Sequence, residues 1–151
     1  MVAATGVTML AGLLALVLAA AFAGAAIFVN VAEQPARLAL DDRAALLEWQ
    51  QSYNRAAPMQ AGLALVTSLL GFWVAWQTRD WRWLAGGLLI LANWPYTLIV
   101  IKPTNDRLHA TKPEQANAQT RQMIESWGHL HGGRSAFGVA ATLLFLWAIV
   151  A

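Results

Sequence analysis

The first 29 residues of the chain contain no charged side chain. That run fixes the kind of solvent the fold must suit. Its apolar core, residues 7–29, is longer than the roughly 20 residues that cross a bilayer. Three further apolar stretches follow at residues 57–76, 83–101 and 132–151, the last strictly apolar from Ala136. Hydrocarbon offers no hydrogen bonds, so each span must satisfy its own backbone and is expected to be a helix. Strand-like alternation, the mark of a membrane barrel, is absent. Composition agrees: 58% of residues are apolar and 12% charged, against about a quarter charged in soluble domains. A cleaved leader is the rival for the first span, since AFAGAA resembles a cleavage site. The opening MVAATG lacks Lys and Arg, however, and the apolar run exceeds a leader core, so a retained helix is expected. With 151 residues, the expectation is one all-α domain: a four-transmembrane-helix bundle in a multi-pass protein, within the cytoplasmic membrane if the source is bacterial.

Outside the spans, two long connections lie on one side, residues 30–56 and 102–131. The segment RAALLEWQQSYNR reads as helix with Leu46, Trp49 and Tyr53 on one face and is expected to run into span two, disturbed at Pro58. Pro113 suits the first turn of another helix, EQANAQTRQMIESWGHLHGG, running into span four. Helices two and four should therefore extend into a polar cap. Small residues Ala11, Ala15, Ala19 and Ala23, with Gly12, Ala20 and Gly24 beside them, let helix backbones approach closely. They suit bundle packing, or a homo-oligomer through this Ala/Gly stripe. Trp73, Trp76, Trp81, Trp83 and Trp147 share the opposite end and read as an interfacial aromatic belt. The long connections carry most of the Lys and Arg and on that count face the cytoplasm, although Arg79 and Arg82 crowd the short turn. A net charge of +2 with dispersed basic residues gives no sign of a nucleic-acid partner; the lipid bilayer is the partner composition demands.

Polar residues that carry chemistry gather on the long-connection side. Trp127, His131 and Arg134 fall at helical spacing on one face, as do Trp49 and Tyr53. Asn30 and Glu33 follow the first span, and Asn105 and Arg107 the third. Together they outline a pocket with an imidazole base, a guanidinium and aromatic walls. Arg and Trp also anchor at membrane boundaries, and Asn30 and Asn105 also suit helix caps. His129 points away from His131. There is no cysteine, and no pattern of paired histidines or carboxylates, so no metal site is expected. Haem needs only one or two histidines and stays open through His131 or His109. Within span three, NWPYT (93–97) places Pro95 beside Asn93, Tyr96 and Thr97. These residues either satisfy the carbonyl that the proline frees or form the polar floor of a ligand pocket.

Four segments recur together: VNVAEQPARL after span one, W..SY.RAAPMQA entering span two, IKPTNDRL after span three and W..LHGGRS entering span four. Over residues 30–137 the chain resembles the DUF1772 family, the anthrone-oxygenase-like integral membrane proteins. The matching positions are Asn30, Pro35, Trp49, Pro103, Asn105, Trp127, His131 and Arg134. Glu33–Gln34 before Pro35 differs from the biosynthetic members. The resemblance implies a four-helix membrane protein, with some members oxidising anthrones to anthraquinones without metal or organic cofactor. It leaves two functions to weigh. One is an oxygenase acting on an apolar phenolic or anthrone-like aromatic, with His131 and Arg134 catalytic and Trp127, Trp49, Tyr53, Asn30 and Asn105 binding substrate. The other is a non-catalytic membrane ligand-binding protein or accessory subunit.

Overall fold

The computed structural model describes residues 6–151, and their regular structure is helical throughout. Residues 1–5 of MVAATG lie outside the described residues. The chain runs α1 (Gly6–Phe28), a π turn (Val29–Glu33), α2 (Gln34–Leu38), α3 (Asp42–Thr78), α4 (Trp81–Leu91), α5 (Asn93–Tyr96), a second π turn (Thr97–Ile101), α6 (Lys102–Ala110), a 3-10 turn (Pro113–Gln115) and α7 (Ala118–Val150). Four continuous helical stretches are each long and apolar enough to cross a membrane: Gly6–Leu38, Asp42–Thr78, Trp81–Ala110 and Ala118–Val150. They form an up-down bundle in which α1 and α4 each pack between α3 and α7.

Length produces the cap. At ~1.5 Å per residue, the 37 residues of α3 and 33 of α7 outrun a hydrocarbon core of ~30 Å. Their polar first turns therefore stand beyond it. Side-chain caps fix both starts: Asp41 accepts from Ala44 N–H at 2.9 Å, and Asn117 forms a capping box with Thr120. The short turn is sharp because Arg79 takes a left-handed conformation, φ 59°, and Asp80 caps α4 by accepting from Arg82 N–H.

Several expectations change. Besides the expected starts of helices two and four, residues 30–38 and 102–110 are helical, because spans one and three carry on as helix beyond their apolar stretches. Each passes through a π turn that closes two residues before a proline. Gln34 N–H bonds Val29 O ahead of Pro35, and Lys102 N–H bonds Thr97 O ahead of Pro103. A proline ring crowds the carbonyl four residues back, and the wider π turn, bonding five residues back, relieves that crowding and lets the helix continue. Pro58 does not interrupt α3, which crosses it unbroken with the proline exposed on the outer face. Pro113 opens only the 3-10 turn, and α7 starts later, where Asn117 supplies the cap.

Packing sorts the tryptophans. Trp76, Trp81 and Trp147 are exposed, as a belt requires, with Trp81 edge-on to Trp147. Trp83 is instead buried and stacked on Phe145 at 5.1 Å. Gly12 makes its room: a β-carbon there would stand 2.8 Å from the Trp83 ring. Ala11, Ala15, Ala19 and Ala23 are buried inside the bundle, so an oligomer contact through α1 is left with Ala20 and Gly24 on the outer face.

Candidate functional site

The first π turn sets the site. It carries Asn30 against α7, where Asn30 Nδ2 donates to Gly128 O at 2.8 Å. That bond orients the amide, so Oδ1 faces His131 and Ser135. Oδ1 accepts from Ser135 Oγ at 2.9 Å and lies 3.0 Å from His131 Nδ1. A carbonyl oxygen only accepts, so Nδ1 carries the proton. In the neutral ring the lone pair is then on Nε2, which has no hydrogen-bond partner among the described residues. The buried imidazole lies against the Trp127 ring at 4.9 Å.

A second layer holds this strand of contacts in register. Gln34 Nε2 donates to Ile124 O at 2.8 Å, and Arg37 Nη1 donates to Gln34 Oε1 at 2.6 Å. Gly128 permits the approach: a β-carbon there would stand 2.7 Å from Gln34. Arg37 is 2% exposed and pairs with both Glu33 and Glu48, and Ser52 donates to Glu33. Arg37 also stands over the Trp127 ring.

Arg134 differs from Arg37 in one respect. It is 6% exposed, yet it has no carboxylate partner and no hydrogen bond among the described residues, and its Nε is fully enclosed. The Phe22 ring stands 5.6 Å from its guanidinium. Burying a cation costs several kcal/mol unless it is paired. A lone buried guanidinium beside a cavity has donors free for an anion that enters it.

Two cavities meet at Arg134. The smaller, about 20 Å³, is walled by Glu33, Arg37, Ser52, Trp127 and His131 among others. It has room for roughly one water-sized molecule. The larger, about 240 Å³, lies between α3 and the third span, with Pro58, Ala61, Ala64, Trp94 and Leu98 in its wall. Tyr53, Ala57, Gln60 and Arg134 line both.

The structure thus brings His131, Arg134, Trp127, Trp49 and Tyr53 around the smaller cavity, with Asn30 behind His131. Asn105 sits one layer back. It donates to Tyr53 Oη at 2.8 Å and accepts from Trp127 Nε1 at 2.9 Å, which fixes both rings. The tryptophans pack on protein: Trp49 stacks on Tyr53, tilts against His109 and stands edge-on to Trp127. Their faces are taken, because α3, α6 and α7 converge there. His109 joins this aromatic cluster from the exposed side, and His129 faces away on an exposed surface. Among the described residues no group of three or more His, Asp or Glu is placed to hold a metal. Gln60, Ser135 and Ser52 were not singled out in the sequence. Gln60 had a signal, being an amide inside an apolar span.

Comparisons with known proteins point to one family. The family model described as anthrone oxygenase matches residues 49–144, a range that includes Trp49, Tyr53, Asn105, Trp127, His131 and Arg134 and leaves out Asn30. An anthrone oxygenase of Claviceps purpurea (strain 20.1) is 26% identical over 109 residues, 64% of this chain. The match covers 63% of that relative's length. No solved structure matches the chain.

Proposed function

The chain belongs to the anthrone oxygenase family, and from that premise we propose that it is an oxygenase of apolar phenolic or anthrone-like aromatics, working in the membrane without a cofactor. The observation that carries the reading is a base and an anion site on one helix face: His131 Nε2 open, with Nδ1 held by Asn30, and Arg134 buried without a counter-ion. In the cytoplasmic membrane of a bacterium, such a site would meet tricyclic phenols where they partition.

The chemistry balances with oxygen alone. His131 Nε2 removes a proton from the ring methylene flanked by two aryl groups. The electron pair left behind spreads onto the ring carbonyl, and Arg134 stabilises that oxyanion. The carbanion gives one electron to O₂, and the resulting radical pair combines to a hydroperoxide anion, which a proton completes. Loss of water across the O–O bond removes the second methylene hydrogen and leaves a ketone. One O₂ is consumed, one of its atoms entering the product and the other leaving as water.

An oxygen electrode tests this with the purified protein in nanodiscs and an anthrone as substrate. Oxygen uptake should match anthrone one to one and exceed the buffer rate. His131→Ala should slow turnover by about 10²–10⁴-fold while the bundle stays folded. Binding of the anthrone with no uptake above buffer would refute the oxygenase and favour a ligand-binding protein without turnover.

A further inference from the structure

We propose that the larger cavity is a lateral binding site, entered from the lipid between the second and third spans, and that Gln60 selects ligands carrying a phenolic hydroxyl. The inference rests on the oxygenase reading for the reaction, not for the binding.

Size separates the two cavities. The volume beside His131, about 20 Å³, admits no ring system, whereas roughly 150 Å³ already holds benzene. Of the two cavities at Arg134, the neighbouring one, about 240 Å³, has room for fused rings. Its outer wall is apolar and exposed at membrane depth: Leu98 is 57% exposed and Trp94 40%. A solute dissolved in the bilayer can therefore enter sideways. The Trp94 indole donates to Ala61 O at 3.3 Å across this mouth, tying the two helices at the entrance.

The inner end is polar, and its groups are unpartnered. Asn93 is 2% exposed. Its Nδ2 donates to Ile90 O at 3.0 Å, which fixes the amide and leaves Oδ1 enclosed without a donor. Gln60, also 2% exposed, makes no hydrogen bond among the described residues and borders both cavities. Arg134 supplies donors at the junction. Unpartnered buried polar groups are costly, and here Gln60 and Arg134 converge on one apolar volume. An acyl chain satisfies neither. A phosphate satisfies Arg134 but has no donor for Gln60 Oε1. A planar phenol-ketone satisfies both: its carbonyl or oxyanion accepts from Arg134, and its hydroxyl donates to Gln60 Oε1. In that pose the rings lie along Ala57, Ala61 and Ala64.

Binding tests this without turnover, by tryptophan quenching in nanodiscs with two probes, 2,6-dihydroxyanthraquinone and unsubstituted anthraquinone. The hydroxylated probe should bind about tenfold tighter to the native protein, and Gln60→Leu should abolish that difference. Ala61→Trp should fill the cavity and remove binding of both. Ala61→Phe serves as the second variant if the larger ring disturbs folding, judged by gel filtration. Equal affinity for the two probes, undiminished binding in both Ala61 variants, or displacement by oleate at equal concentration would overturn the proposal. The two readings fail separately. Turnover retained in the Ala61 variants sinks the lateral site and spares the oxygenase; hydroxyl-selective binding with no oxygen uptake does the reverse.

Discussion

Two buried arginines on neighbouring helices should respond in opposite directions to the same substitution. Arg37 is neutralised by Glu33 and Glu48 and bonded to Gln34. Arg37→Met strands two carboxylates and the Gln34 amide. Breaking a buried pair costs about 3–5 kcal/mol, and the lower end applies because the Glu48 side chain is 36% exposed and recovers water. Arg134 has no ionic partner to lose. Its burial costs several kcal/mol, and the Phe22 ring at 5.6 Å returns about 1 kcal/mol. Arg134→Met, similar in length and apolar, should therefore stabilise the bundle by about 1–4 kcal/mol. At roughly 2–4 °C per kcal/mol for a chain of this size, the melting temperature rises. Turnover should fall by about 10²–10³-fold, the scale for losing an oxyanion donor. Thermal melting in one detergent, paired with oxygen uptake, reads both. If Arg134→Met melts lower than the native protein by as much as Arg37→Met, Arg134 is a structural cation and the anion-site reasoning is refuted.

Other perturbations follow from the same contacts. Asn30→Ala removes the acceptor that holds His131 Nδ1; loss of orientation should cut turnover by about 10²-fold with little change in KM, and a change confined to KM would contradict that role. Gly128→Ala drives a β-carbon to 2.7 Å from Gln34, an overpacking that should cost about 1–3 kcal/mol in thermal melting; unchanged melting would mean the helices separate freely. Asp80→Ala removes the α4 cap and should cost about 1 kcal/mol. Hydrogen bonding from Arg82 holds the Asp80 carboxyl below the ordinary carboxylate range. A carboxyl lowered on folding stabilises above its unfolded value of about 4 and loses that contribution as pH falls through the folded value. The melting difference between native and Asp80→Ala should shrink from pH 6 to pH 3, and a constant difference would count against it.

The four spans were legible because charge-free runs of membrane length have one stable outcome. The polar continuations were not. EQPARL and KPTNDRL look like loop sequence, and each contains a proline; only the backbone shows that a π turn placed before Pro35 and Pro103 lets the helix continue. Trp83 resembled its exposed neighbours, since composition does not say which way a ring points; Gly12 opposite it held the clue. In the site, the spacing of Trp127, His131 and Arg134 on one helix placed them together. The partner that orients His131 is Asn30, 101 residues away, a pairing no local pattern contains. Asn93 was read both as a helix-kink filler and as a pocket floor; its Nδ2 bonds Ile90 O, as a filler does, while Oδ1 is enclosed without a partner.

Proton abstraction can be measured apart from oxygen. The native protein, His131→Ala and Arg134→Met are incubated anaerobically in nanodiscs in D₂O with an anthrone, and deuterium at its ring methylene is followed by NMR. The native protein should exchange the methylene protons well above the buffer rate. His131→Ala should fall to the buffer rate, and Arg134→Met should fall by about 10²-fold or more. Exchange in His131→Ala as fast as in the native protein would contradict the assignment of His131 Nε2 as the base.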